Sequence, residues 1–242
     1  MVRGGTGKPL FVLHDEMGYT GWMTWNEELA KVRELIIPMQ PGFGKTPKLD
    51  WIWRHRDLAI FYLNVIRELK LGKVDVLGFS AGGYIAAEMA AANPEMLASV
   101  TLVGPMGIKP DQGEIAEMFA CTINSYLRLT VENQEGEFGK IYGGAMTPET
   151  FEAFEDARAE SARIGWEPYM FNPSLPWLLR SAKNANLKTL LIRGDKDRVV
   201  PQGCIDKYKA AIPQAQVVSI AGAGHRPEIE QIPAFVKAVK DF

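Results

Sequence analysis

A serine, two aspartates and a histidine stand at spacings that could build a nucleophilic site. Ser80 lies in VDVLGFSAGGYIAAEMA (74–90) as the centre of a G-x-S-x-G pattern, Gly78 to Gly82. The residues before it read as a strand and those after it as a helix. A serine on so tight a strand-to-helix turn takes strained backbone angles, so its neighbours two positions away must be small. Its hydroxyl then stands at a helix N-terminus, where amides and dipole favour developing negative charge. A plain structural turn is the competing reading of the pattern.

An activated serine needs a base, and the chain has three histidines. His225 lies in AGAGHRPEIE, a glycine-rich loop between the last strand and the C-terminal helix. His55 opens a helix among charges in WIWRHRDLA and reads as a solvated surface residue. His14 ends the first strand. The order serine, acid, histidine leaves His225 as the candidate base, against a buried core histidine. The acid comes from LLIRGDKDRVVP, where a strand ends and Asp195 and Asp197 follow. Only one of them can accept from the imidazole; the other is a solvated or turn-forming carboxylate. The spacing leaves both open.

FVLHDEMG (11–18) puts His14, Asp15 and Glu16 side by side, three residue types that ligate metals. Neighbours at a strand end point in divergent directions, and no further His/Cys set is spaced as a metal site requires, so no metal and no cofactor is expected. GFGKT (42–46) imitates the end of a phosphate-binding loop, but Met39 stands where its first glycine belongs. A P-loop is not expected.

These residues need a scaffold, and the patterning supplies one. Apolar runs at 10–14, 34–39, 73–78, 99–104, 189–194 and 216–220 read as strands covered on both faces. Helical patterns lie between them at 25–33, 56–70, 81–92, 204–212 and 228–242, with Leu58, Phe61, Tyr62, Val65 and Leu69 forming one stripe. Such alternation predicts an α/β, mostly parallel, doubly wound sheet. The rhythm breaks between about Met106 and Asn186, where only helical segments appear. The clearest is 148–164, with Thr147 as N-cap, Pro148 in the first turn and Gly165 just past its end. The expected organisation is a core of residues 1–105 and 187–242 with a helical cap, 106–186, inserted between strands.

With 27 basic and 29 acidic residues the net charge is -2, so no basic field draws nucleic acid or an anionic membrane. No apolar run reaches the roughly 18 residues needed to span a bilayer, and MVRGGTGKPL lacks a signal-peptide core. Cys121 and Cys204 read as idle thiols. A soluble cytoplasmic protein, monomer or homodimer, handling a small molecule is the expectation.

LGFSAGG, LLIRGDKDRVVP and AGAGHRPEIEQIPAF together resemble the nucleophile, acid and histidine loops of the α/β-hydrolase superfamily. The likeness runs over nearly the whole chain, including MQPGFGKTP after the second strand and the helical cap. It implies a catalytic set of Ser80, Asp197 and His225, since the family's acid motif runs Gly194, Asp197, an apolar pair and Pro201. It also implies an oxyanion hole built from two backbone amides, those of Ala81 and, by position, Glu16. The loop departs from the pattern: Asp15 replaces a glycine, Glu16 brings a carboxylate to a site that must stabilise an anion, and Gln40 stands where an acidic residue is usual. The expected arrangement turns both carboxylates outward to solvent or basic groups, leaving the amide free; the alternative has Glu16 facing the pocket as an acid/base or substrate-binding group. A serine nucleophile implies hydrolysis of a small to medium, mostly apolar carboxylic ester, lactone or thioester. C–C hydrolase, lyase and weakly catalytic ligand-binding readings stand beside it. Aromatic and Met residues of the cap (Met118, Phe119, Tyr126, Tyr142, Met146, Trp166, Tyr169, Met170, Phe171, Trp177) are expected mostly to pack. Trp22 or Trp25 is a candidate for the pocket wall, and Trp22, Met106 and Trp166 are the candidate pocket residues.

Overall fold

In the computed structural model, residues 1–134, 147–167 and 170–242 are described; Tyr142, Met146 and Tyr169 lie outside them. Seven strands form one sheet: β1 Val2–Gly4, β2 Lys8–Leu13, β3 Arg33–Ile37, β4 Val74–Phe79, β5 Leu97–Val103, β6 Lys188–Gly194 and β7 Gln216–Ile220. Their order is β1-β3-β2-β4-β5-β6-β7. Only β1 runs antiparallel, pairing Val2 with Ile37. This edge strand is three residues long and glycine-ended, so it carries no periodicity that sequence could reveal.

The inner strands are apolar on consecutive positions because helices cover both faces. Phe11, Val76 and Val100 face one core, with α2 (His55–Glu68) and α3 (Ala81–Ala92). Val12, Leu77 and Ile192 face the other, with Trp25 of α1 (Thr24–Ala30) and Phe235. On α2 the buried stripe is Leu58, Tyr62, Leu63 and Ile66, so the apolar face is rotated toward Ile66 from the one its spacing suggests. His55 is a correction: it is buried, not solvated, its ring stacked on Tyr84 of α3 with centroids 4.4 Å apart. The stacking surface on the facing helix, invisible in a charged local sequence, draws the ring inward.

Between β5 and β6 the described residues hold α4 Ile123–Leu129, α5 Pro148–Gly165, α6 Leu175–Leu178 and α7 Arg180–Asn184, with one isolated bridge, Gly107 to Phe171. Thr147 caps α5 by accepting from the Thr150 amide at 3.2 Å. Gly165 is the last helical residue and Trp166 the cap. After α8 (Gln202–Ala211), the expected single C-terminal helix is two: α9 Pro227–Glu230 and α10 Ile232–Asp241. Gln231 adopts φ -132° and ψ 54° at the break, and Pro233 follows in the first turn of α10, where a proline suits a helix start.

Registers carry the ends of β2, β4 and β5 to one edge: Leu13 pairs with Gly78 and Phe79 with Val103. The loop after β2, Ser80 and Gly104 therefore meet there, where ligands collect in open parallel sheets. Among the described residues no helix is long and apolar enough to cross a membrane.

Candidate active site

Ser80 adopts φ 50° and ψ -111°, a region that L residues avoid. Its backbone is held on both sides: its N–H donates to Val103 O at 2.9 Å, and its carbonyl accepts from Tyr84 and Met106. At Gly82 a Cβ would lie 2.3 Å from the His14 carbonyl, so only glycine lets α3 close against the loop after β2. The Ser80 hydroxyl is buried and, among the described residues, without a hydrogen-bond partner.

His225 and Asp197 meet across two loops, Nδ1 to Oδ2, at 2.9 Å. Asp197 Oδ1 accepts from the Val199 and Val200 amides at 2.8 and 2.9 Å, which fixes the carboxylate's orientation. Asp195 turns elsewhere, accepting from the Gly222 amide at 2.8 Å. Nε2 of His225, the nitrogen not facing Asp197, is buried and without a partner among the described residues, like the serine hydroxyl. Burial alone would lower the His225 pKa. The Asp197 charge and hydrogen bond, with smaller contributions from Glu16 and Asp15, outweigh it and raise the pKa above the ordinary value. Gly104, at the end of β5 with φ 48°, makes room for the pair; a Cβ there would sit 2.9 Å from the imidazole. A lone glycine after an apolar run was the available signal for it.

The loop after β2 is the main correction. Asp15 and Glu16 are both buried: Asp15 turns to a basic group, Arg226, as expected, whereas Glu16 faces inward. Glu16 Oε1 accepts from the Tyr126 hydroxyl at 2.7 Å, and Oε2 lies 3.4 Å from the Ala81 amide. Ser161 of α5 donates to the Glu16 carbonyl at 2.7 Å. Tyr126 of α4 thus holds this carboxylate inward while Ser161 of α5 fixes the backbone that carries it, and neither could be anticipated locally. One of the two amides expected to form the oxyanion hole therefore faces a side-chain carboxylate from the same loop that was to supply the other.

Asp15 accepts from the Met17 amide and pairs with Arg226 at 2.7 Å. Arg226 also binds Glu228 through Nε at 2.5 Å. Burial raises the Asp15 pKa, with Glu16 and Glu228 adding to it and Arg226 opposing. His14 diverges from both acids. The Gln40 amide donates to its Nε2 at 3.1 Å, which assigns the proton to Nδ1, 2.7 Å from the Asp15 carbonyl. Burial lowers the His14 pKa to about 4, so the ring is neutral and serves the loop's shape. Sequence reasoning missed Arg226, Glu228 and Tyr126 as parts of this cluster, because their partners lie far along the chain.

A cleft of about 1170 Å³ opens beside this loop, between it, α5 and the start of α10. Trp22 lines it, as do Trp25, Phe43 and Phe154. Ser80 and His225 do not; Met17 and Gly18 bring the cleft next to Glu16, and Glu228 lies three residues beyond His225. Met106 is buried under Ser80 and does not line the cleft. Trp166 is 64% exposed at the end of α5, beside Phe119, and does not line it either. Its place as helix cap carries it to the surface.

The alpha/beta hydrolase family profile matches residues 10–238, and the chain belongs to that family. It is 25% identical to the 2-hydroxy-6-oxo-2,4-heptadienoate hydrolase of Pseudomonas putida, over 98% of this chain and 90% of that one. It is 26% identical to the pimeloyl-[acyl-carrier protein] methyl ester esterase of Aeromonas salmonicida, over 99% and 97%. Among solved structures, a meta-cleavage product hydrolase from Pseudomonas fluorescens shares its fold, with a TM-score of 0.79, 21% identity and coverage of 99% and 92%. These relatives divide between C–C and ester cleavage.

Proposed function

We propose that this protein is a serine hydrolase that cleaves a carboxylic ester, lactone or thioester through an acyl-enzyme on Ser80. Two observations carry the reading: Ser80 has a strained backbone and a buried hydroxyl without a partner among the described residues, and the His225 ring is tied to Asp197 through Nδ1. Nε2 of His225 takes the Ser80 proton as Oγ bonds the carbonyl carbon, and the carbonyl's π electrons move to its oxygen. Collapse expels the alcohol or thiol fragment, which takes the proton from Nε2. A water molecule repeats the two steps, giving the acid and free Ser80. Asp197 holds the tautomer and balances the imidazolium charge.

The oxyanion is received by the Ala81 amide and the amide of Glu16, each such donor contributing about 3 kcal/mol. The Glu16 carboxylate must yield its place near Ala81, since like charge opposes the intermediate. That inward carboxylate favours a second reading, C–C bond hydrolysis of a diketone-like substrate with Glu16 as the acidic group.

A fluorophosphonate probe should label the wild type and not Ser80→Ala; no Ser80-dependent labelling of folded protein would overturn the nucleophile. p-Nitrophenyl acyl esters are then compared with vinylogous diketones, on wild type and Glu16→Gln. Ester turnover that survives Glu16→Gln supports the first reading. Turnover confined to the diketones, and lost in Glu16→Gln, replaces it with the second.

A further inference from the structure

The cleft beside Glu16 has an unusual lining. Aromatic side chains Tyr19, Trp22, Trp25, Phe43 and Phe154 face it together with four glutamates, and among the described lining residues there is no Lys, Arg or His. Aromatic faces and carboxylates both attract cations, and the attraction strengthens as water is excluded. The four glutamates are not equivalent. Glu27 and Glu149 are exposed at the rim. Glu230 already accepts from the amides of Gly224, Glu132 and Asn133, so it braces the floor. Glu228 differs: it is 1% exposed, Oε1 binds Arg226, and Oε2 has no partner among the described residues.

Arg226 does not cancel this charge, because it is shared between Asp15 and Glu228. Two buried carboxylates stand against one guanidinium. The Tyr19 hydroxyl and the Trp25 indole N–H, also buried and without a partner among the described residues, belong to the same wall. That wall is common to the cleft and to a chamber of about 20 Å³ behind it. Three orphaned polar atoms in one place are expensive, since a buried unmade hydrogen bond typically costs about 1–3 kcal/mol. A ligand that donates to Glu228 and Tyr19 and lays an apolar body on the rings would relieve two of the three.

We propose that this cleft binds a protonated amine on an apolar body, and that the substrate is an ester whose non-reacting part carries that amine. The substrate assignment rests on the Ser80 reading above; the amine site does not. It also separates this chain from relatives whose named substrates are dienoates, for a carboxylate would find no cation among the cleft's described lining residues.

The test has two arms. Calorimetry on Ser80→Ala protein measures binding of 2-phenylethylammonium against 2-phenylethanol and 3-phenylpropanoate, the neutral and anionic counterparts. The ammonium should bind about tenfold more tightly than either, with the difference lost in Glu228→Gln. Because Glu228→Gln disturbs a buried ion pair, Trp22→Ala at the rim serves as the second variant and should weaken binding several-fold. Equal binding of the three probes, no binding, or binding indifferent to both variants overturns the site. In the second arm, wild type is given p-nitrophenyl 6-aminohexanoate and p-nitrophenyl hexanoate. A preference of about tenfold in kcat/KM for the amine ester, expressed in KM, supports the substrate class. Equal turnover with amine binding intact overturns that class. No turnover of either ester with amine binding intact supports the cleft and overturns the Ser80 reading instead.

Discussion

Two loops at the carboxyl edge of the sheet each carry two acids within three residues, and they use them in opposite ways. After β6, Asp197 orients His225 while Asp195 closes a turn onto Gly222. After β2, Asp15 pairs with Arg226 while Glu16 is pressed by Tyr126 toward the Ala81 amide. His225 and Arg226 are chain neighbours, so a single loop takes one acid from each side. In the proposed mechanism the first pairing prepares a base; the second ties a loop down and leaves a carboxylate where an anion would form. Carboxylate side chains acquire opposite roles from the donor each one meets.

The sharpest way to break this comparison is to neutralise one acid at a time in the first loop. Asp197→Asn should lower kcat by about 10⁴-fold, while Asp195→Asn changes it only a few-fold. Comparable losses from both, measured on one ester, would erase the distinction. In the second loop Asp15→Asn removes one partner of a buried cation. A loss near 3 kcal/mol is expected in urea unfolding, and a loss below about 1 kcal/mol would mean that Glu228 alone suffices for Arg226.

His55 offers a smaller effect with a definite sign. Burial lowers its pKa from 6.5 to about 4, so the unfolded chain takes up a proton first as pH falls. Stability is therefore lost between pH 6.5 and 4, by up to about 3 kcal/mol for this group. His55→Phe, which keeps the stack on Tyr84, should flatten that part of the pH–stability curve; an unchanged slope would show that the ring does not titrate this way.

The finest effect links the two loops. In the proposed mechanism His225 must be neutral to act; its pKa is raised, and Glu16 is among the causes. Activity should fall as pH drops through that raised value, and Glu16→Gln should move the acidic limb of kcat/KM to lower pH. A limb that stays put would show that the second loop does not reach the base.

How far the sequence revealed these roles follows from the range of each interaction. The strand–helix alternation and the Ser80 turn are local and were legible. Asp197 over Asp195 was legible only through the spacing to Pro201 that the family resemblance carries. Glu16's orientation depends on Tyr126, 110 positions away, and on Ser161. No local pattern encodes contacts of that separation, just as nothing around His55 announces Tyr84. The cleft likewise joins residues from both ends of the chain and from α5.

The central claim is that Ser80 carries the acyl group. The direct measurement is peptide mass spectrometry on enzyme quenched during p-nitrophenyl butyrate turnover. An added butyryl mass on the peptide holding Ser80, present in wild type and absent in Ser80→Ala, is the predicted result. Sustained turnover by Ser80→Ala, or an acyl group found on another residue, would contradict it.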